Sequence, residues 1–196
     1  GLRFKALDDQ LLASIVVFDS GNTNLRYANP EFEAGVTPDE PEYYYNGEEK
    51  TKGIEIDLNA HINSHWLINL NGTVQDARDK KNPNRDSYNT RQKGIPRVTG
   101  SAWISYEFST DNPLTLSLGA EYVDKRTINS AGFGVPDAEL PSYTIMNSSI
   151  RYEWQDVTLQ LNINNIFDTH YYQKALFLGG LPGEPRNANL TIRYQF

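Results

Sequence analysis

The sequence predicts an all-β fold: antiparallel strands in up-and-down order, of the kind that closes into a transmembrane β-barrel. Three observations predict it. Apolar and polar residues alternate with period two in one segment after another, with turn residues between them. The connections between those segments alternate short and long. The polar faces are rich in Asn, Thr, Ser, Gln and Glu, too polar for a core, while the apolar faces carry almost no charge, and a charge there would cost roughly 2–4 kcal/mol at a bilayer midplane.

The chain opens on a strand, with Leu2, Phe4 and Ala6 alternating with Arg3 and Lys5. No Met and no signal-peptide pattern precede it, so an internal cut is expected there. Residues 11–19 are apolar on both faces and leave their phase open. Ile54, Ile56, Leu58, Ala60 and Ile62 then oppose Glu55, Asp57 and Asn59, and Trp66, Ile68, Leu70 and Val74 oppose Asn69, Asn71, Thr73 and Gln75. Ala102, Ile104, Tyr106 and Phe108 oppose Ser101, Trp103, Ser105 and Glu107. Leu114, Leu116, Leu118, Ala120 and Tyr122 oppose Thr115, Ser117, Gly119 and Glu121. Within 142–154, Met146, Ile150, Tyr152 and Trp154 share a face against Asn147, Ser149, Arg151 and Glu153. Residues 157–164 place Val157, Leu159, Leu161 and Ile163 against Thr158, Gln160, Asn162 and Asn164. The last segment places Leu190, Ile192, Tyr194 and Phe196 against Thr191, Arg193 and Gln195. This makes about nine strands.

Short connections fall at Asp8-Asp9-Gln10, Asn63-Ser64-His65, 109–113 and Gln155-Asp156; long ones run 21–45, 76–96, 127–141 and 169–185. Sorting loop length by side is the habit of outer-membrane barrels, with tight periplasmic turns and longer extracellular loops. A two-layer soluble sandwich with its apolar faces inward is the alternative that periodicity leaves open. No run of ~18 apolar residues exists for a transmembrane helix. The net charge of -7 argues against a nucleic-acid partner. With no Cys there is no disulfide, thiolate metal site or Cys nucleophile.

Several segments, taken in order, resemble the TonB-dependent siderophore receptor family. They are Gly53-Ile54-Glu55-Ile56-Asp57-Leu58, Gly94-Ile95-Pro96-Arg97 (loosely), Leu140-Pro141-Ser142-Tyr143-Thr144, and Leu161-Asn162-Ile163-Asn164-Asn165-Ile166-Phe167-Asp168 followed by Tyr171-Tyr172. The last is Gly183-Glu184-Pro185-Arg186-Asn187 leading into the terminal strand. The resemblance implies a barrel of about 22 strands, of which residues 1–196 are the C-terminal part. An N-terminal plug domain carrying the TonB box would lie outside this sequence. It implies an outer-membrane location, a ferric siderophore as the transported ligand with no cofactor, contact with outer-membrane lipids, and coupling to the TonB complex through the plug. A receptor for cobalamin, haem or a glycan is the alternative ligand class.

The candidate ligand-binding residues are Tyr43, Tyr44, Tyr45, Arg126, Tyr171, Tyr172 and Arg186, at the loop ends of the strands. The tyrosines suit a siderophore's apolar body and polar rim, or an aromatic girdle; the arginines suit its negative charge. Tyr194 and Phe196 form the candidate membrane-assembly signal, since outer-membrane barrels resemble one another in ending on an aromatic. His61 and His65 are four apart but straddle a turn, and His170 lies at the opposite end, so no metal site is expected. The acidic residues Asp39, Glu40, Glu42, Glu48 and Glu49 lack calcium-loop spacing. No G-x-S-x-G elbow is present. His170 with Asp168 is the only pair that a barrel hydrolase could use, and no enzyme is expected.

Overall fold

The computed structural model describes residues 1–6, 10–29, 31–33, 36–37, 39–81, 88–108, 114–128, 137–176 and 179–196. Nine strands form one antiparallel meander: β1 (Leu2–Ala6), β2 (Leu11–Ala28), β3 (Tyr43–His61), β4 (Trp66–Lys81), β6 (Val98–Glu107), β7 (Leu114–Val123), β10 (Tyr143–Trp154), β11 (Val157–Asn164) and β14 (Asn187–Tyr194), paired in that order. Short β5 (Thr90–Arg91) joins the free stretch of β4. Two small ladders stand apart, β8 (Arg126–Thr127) with β9 (Glu139–Leu140) and β12 (Tyr172–Leu176) with β13 (Gly179–Pro182).

Register keeps like with like. Ile150↔Leu161 and Leu161↔Leu190 run across one face; Arg151↔Gln160 and Gln160↔Thr191 run across the other. Pairing also settles the ambiguous second strand: Ile15↔Ile56 and Val17↔Ile54 put its odd residues on the apolar face. That face is uncovered. Val17 is 71%, Ile192 66% and Leu190 63% exposed. Among the described residues no large side chain is fully buried, and no second sheet covers this face. A two-layer sandwich would bury this face, so the sandwich alternative falls.

All four predicted long loops are strand for part of their length. β2 continues to Ala28, β3 begins at Tyr43, and β4 runs on to Lys81. Above Val17, Ile54 and Val74 polar residues predominate on both faces of these strands and the apolar ones among them keep no period of two, so hydrophobic alternation has nothing to report there. The turns at Asn63–His65 and Gln155–Asp156 stand as expected: Asn63 Oδ1 accepts from the His65 and Trp66 amides at 2.9 and 3.0 Å, and Gln155 takes φ 49. The predicted turns at Asp8-Asp9 and 109–113 lie outside the described residues.

Aromatics mark the short-turn end of the apolar face. Trp66 and Tyr106 rings lie 4.6 Å apart, Tyr106 and Phe108 4.7 Å, and Tyr194 and Phe196 6.0 Å. Trp154 stands beside Val157 and Tyr194 in register. On the polar face, rings lie over glycines of the next strand. A Cβ at Gly119 would meet the Trp103 ring at 2.4 Å, and one at Gly53 would meet Phe18 at the same distance. An aromatic covering a glycine in this way pins register. Gly119→Val is therefore expected to destabilise the folded barrel by about 1–3 kcal/mol through overpacking. Trp103→Ala in the same molecule should recover most of that loss. A double-mutant cycle in urea unfolding checks it, and additive losses would contradict the contact.

Candidate functional site

The connection from β11 to β14 folds back on itself around one buried side chain. Asn165, 2% exposed and at φ 50, ends β11. Its Nδ2 donates to the carbonyls of Thr169 (2.9 Å) and Glu184 (3.1 Å), and its Oδ1 accepts from the Thr169 amide at 2.8 Å. Its own amide donates to Asn147 Oδ1 on β10 at 2.9 Å. Asn tolerates the left-handed conformation, and every polar atom of its side chain is used. Asp168, at φ 54, accepts from the Arg186 amide at 2.8 Å, and Arg186 Nη1 reaches the Ile166 carbonyl at 3.4 Å. Asn164 Nδ2 donates to Asn187 Oδ1 at 2.9 Å. The Asn-Asn-Ile-Phe-Asp and Pro-Arg-Asn stretches are thus two halves of one knot.

From that knot the chain runs on through Tyr171, which packs against the polar face of β7 and β10 just before the β12–β13 hairpin. Val123, Tyr143 and Ile145 are buried there, with Tyr171 packed on them and its ring 4.5 Å from that of Tyr143. All three core residues sit at polar-face parity: Tyr143↔Val123 and Ile145↔Glu121. Arg126, 7% exposed, donates from Nη2 to the Tyr172 carbonyl (2.5 Å) and from Nη1 to the Gln173 carbonyl (3.1 Å). Its guanidinium lies 5.9 Å from the Tyr143 ring centroid. Its Nε finds no acceptor among the described residues. Neighbouring connections join the same assembly: the Gly94 amide donates to the Thr127 carbonyl at 2.8 Å, and Lys93 pairs with Asp137 at 2.6 Å. The Glu139 carboxylate, 2.9 Å from Lys125, holds that ammonium's pKa above its ordinary value.

The predicted ligand residues divide into three places. Arg126, Tyr171 and Tyr172 come together in the wall just described, and Tyr171 and Tyr172 also line a cleft of about 300 Å³ with Asp168, His170 and Glu184. Arg186 is exposed and belongs to the knot. Tyr43, Tyr44 and Tyr45 lie at the start of β3, where the Arg26 guanidinium stands 4.5 Å over the Tyr43 ring and Tyr45 is 61% exposed. Tyr194 and Phe196 are exposed on the apolar face at the short-turn end. His65 Nδ1 lies 2.8 Å from the Glu107 carbonyl, and among the described residues no three His, Asp or Glu are grouped to hold a metal ion. Sequence reasoning missed Tyr143 and Asn165 as site-building residues. The signal for Tyr143 was available: with Ile145 it breaks the polar run of its own face.

A family model described as TonB dependent receptor-like, beta-barrel matches residues 1–166. The chain belongs to the TonB-dependent receptor family. Among its relatives, the siderophore receptor PiuA of Acinetobacter baumannii is 28% identical over 208 residues, covering 100% of this chain and 26% of its own length. The ferrioxamine B receptor of Salmonella typhimurium is 31% identical over 144 residues, covering 69% of this chain and 20% of its own. The PiuA crystal structure superposes with a TM-score of 0.78 at 27% identity, covering 98% of this chain and 27% of that one. The ferripyoverdine receptor of Pseudomonas aeruginosa, bound to ferripyoverdine, gives 0.81 at 23% identity, covering 99% of this chain and 26% of that one. The chain therefore spans about a quarter of the length of the TonB-dependent receptors it matches. As in those barrels, the sheet is all strand and antiparallel.

Proposed function

We propose that residues 1–196 form the C-terminal part of the barrel wall of an outer-membrane receptor that binds and takes up a ferric siderophore, energised by TonB through a plug domain outside this sequence. The observation that carries this reading is the full-length match of this chain to the siderophore receptor PiuA, with the ferrioxamine B receptor in support. The uncovered apolar face then meets lipid, and the polar face meets the lumen. The knot end lies outside the cell and the aromatic end at the periplasmic boundary. Tyr194 and Phe196 serve as the assembly signal. Arg126, with an unfilled Nε beside Tyr143 and Tyr171, gives the lumen wall a cation suited to an anionic ligand. No step of covalent chemistry is assigned to the chain; the siderophore is cargo.

The test is uptake of radioactive iron by cells that lack their own receptors and express the full-length parent. Hydroxamate, catecholate and carboxylate siderophores are offered, with and without TonB. One class is expected to be taken up, and only with TonB. If none enters while the protein sits in the outer membrane, the barrel stands and the siderophore assignment falls, leaving cobalamin, haem, a glycan or another metal chelate.

A further inference from the structure

On three neighbouring strands the apolar face changes character at one level. The row Val17–Ile54–Val74 is apolar; the next row outward is Asp19–Lys52–Asp76. From Trp66 to Asp76 the chain advances about 33 Å at ~3.3 Å per residue. At a strand tilt of about 40° this is a rise of about 25 Å, the height of the apolar band of outer-membrane barrels. The charged row therefore stands at the outer lipid boundary, facing away from the lumen.

One row further out, Lys50, Arg78 and Arg91 stand abreast: Lys50 is the register partner of Arg78, and Arg78 of Arg91. Like charges directly opposite one another on neighbouring strands destabilise a sheet. Two carboxylates relieve this only in part. Asp19 is shared by Lys50 (3.1 Å) and Lys52 (3.6 Å), and Asp76 by Arg78 (2.7 Å) and Arg91 (3.5 Å). Lys80 donates to the neutral Asn89 Oδ1 at 2.6 Å. Among the described residues five cations thus face two carboxylates, and counting Glu48, the next outward residue of β3, still leaves positive charge in excess. Lys50, Lys52, Asp76, Arg78, Lys80 and Asn89 line a cleft of about 270 Å³. On β6, β7 and β10 the apolar face ends instead in Val98, Tyr122 and Thr144, so among the described residues the cationic cluster is confined to β3–β5.

We propose that this cluster is a binding site for the phosphoryl headgroup of an anionic lipid of the outer leaflet, with the acyl chains lying on the apolar rows below it. A phosphate carries the charge that the row lacks, and its several acceptor oxygens match donors arriving from separate strands. Height and chemistry coincide, since the cations begin where acyl chains end. The inference rests on the barrel orientation proposed above, but not on the identity of the transported ligand.

The full-length receptor, stripped of lipid and placed in phosphatidylcholine nanodiscs, is offered a bis-phosphorylated acyl glycolipid (lipid A) or the same lipid with its phosphates removed. Retained lipid is counted by native mass spectrometry. The phosphorylated form is expected to be preferred, and K50Q/R78Q/R91Q to lower that preference about 100-fold, at roughly one fivefold step per cation near a membrane surface. Arg91→Gln alone, on a two-residue strand, guards against misfolding of the triple variant and is expected to lose one such step. Lys125→Gln, in a connection distant in sequence, is expected to lose none. Equal retention of the two lipids, or a preference untouched by both cluster variants, overturns the proposal. Competition by inorganic phosphate at the lipid's own concentration also overturns it, in favour of a free anion. Release of the receptor from membranes without detergent would instead overturn the barrel orientation itself, whereas failure of siderophore uptake would leave the lipid preference standing.

Discussion

Replacing Asn165 with Ala is expected to loosen the whole 165–186 connection, at a cost of about 3–5 kcal/mol to that region. Three side-chain hydrogen bonds are lost at roughly 1 kcal/mol net each, and the half-buried Thr169 amide and the Glu184 carbonyl are left to find other partners. Ala at φ 50 adds strain of about 1 kcal/mol. Asn165→Gly separates these effects, because it keeps the left-handed backbone and loses only the hydrogen bonds. The damage should propagate, since the knot holds the stretch that carries Tyr171 onto Tyr143 and the carbonyls of Tyr172 and Gln173 onto Arg126. Hydrogen exchange of the full-length receptor measures this. Amides of β12 and β13 should lose protection while β10 and β11 keep theirs. Unchanged protection of β12 and β13 would show that the hairpin is held by its own contacts and not through Asn165.

Ile56→Arg is expected to cost about 2–4 kcal/mol in folding from urea into lipid vesicles, the penalty for a cation near the bilayer midplane. Ile56 is 50% exposed on the apolar face, between Ile15 and Gly72. Glu55→Arg, one residue away on the polar face, is expected to change stability by no more than about 0.5 kcal/mol. A twofold alternation of penalty along one strand is the energetic signature of a wall wet on one side and oiled on the other. Similar costs at both positions would mean that both faces meet the same medium.

The nine strands of the meander were legible because each carries a face that must be apolar. The faces also constrain register, since sliding β10 or β14 by one residue would put Arg151 or Arg193 on the apolar face. What was not legible lies where that constraint lapses. β2, β3 and β4 run beyond the apolar rows, where charged residues such as Asp19, Lys50 and Arg78 stand among mostly polar neighbours and no period stands out. The β12–β13 hairpin has Ala, Leu and Gly on a short ladder with a register shift, too irregular for a period-two reading. The aromatic ends were visible as letters but not as a level, because Trp66, Tyr106, Trp154 and Tyr194 align only once the strands are paired. The candidate site was half legible. Arg126, Tyr171 and Tyr172 do meet. Arg186 was placed correctly near the loop end, but its nearest engagements are the Asp168 carboxylate and the Ile166 carbonyl, so in this chain it first serves the knot.

The aromatic row at one end and the charged row at the other fix two heights on a surface whose strand slant is set by register. A helix meeting a bilayer of the wrong thickness can tilt to suit; a registered wall cannot change its slant without breaking ladders on every strand. Hydrophobic mismatch must then be absorbed by the lipid, which thins or thickens around the protein at fractions of a kcal/mol per Å. Proteins that impose the same local thickness share that cost when they sit side by side. The spacing between Trp66 and Asp76 therefore bears on which neighbours the receptor keeps in the plane of the membrane, as well as on how deep it sits.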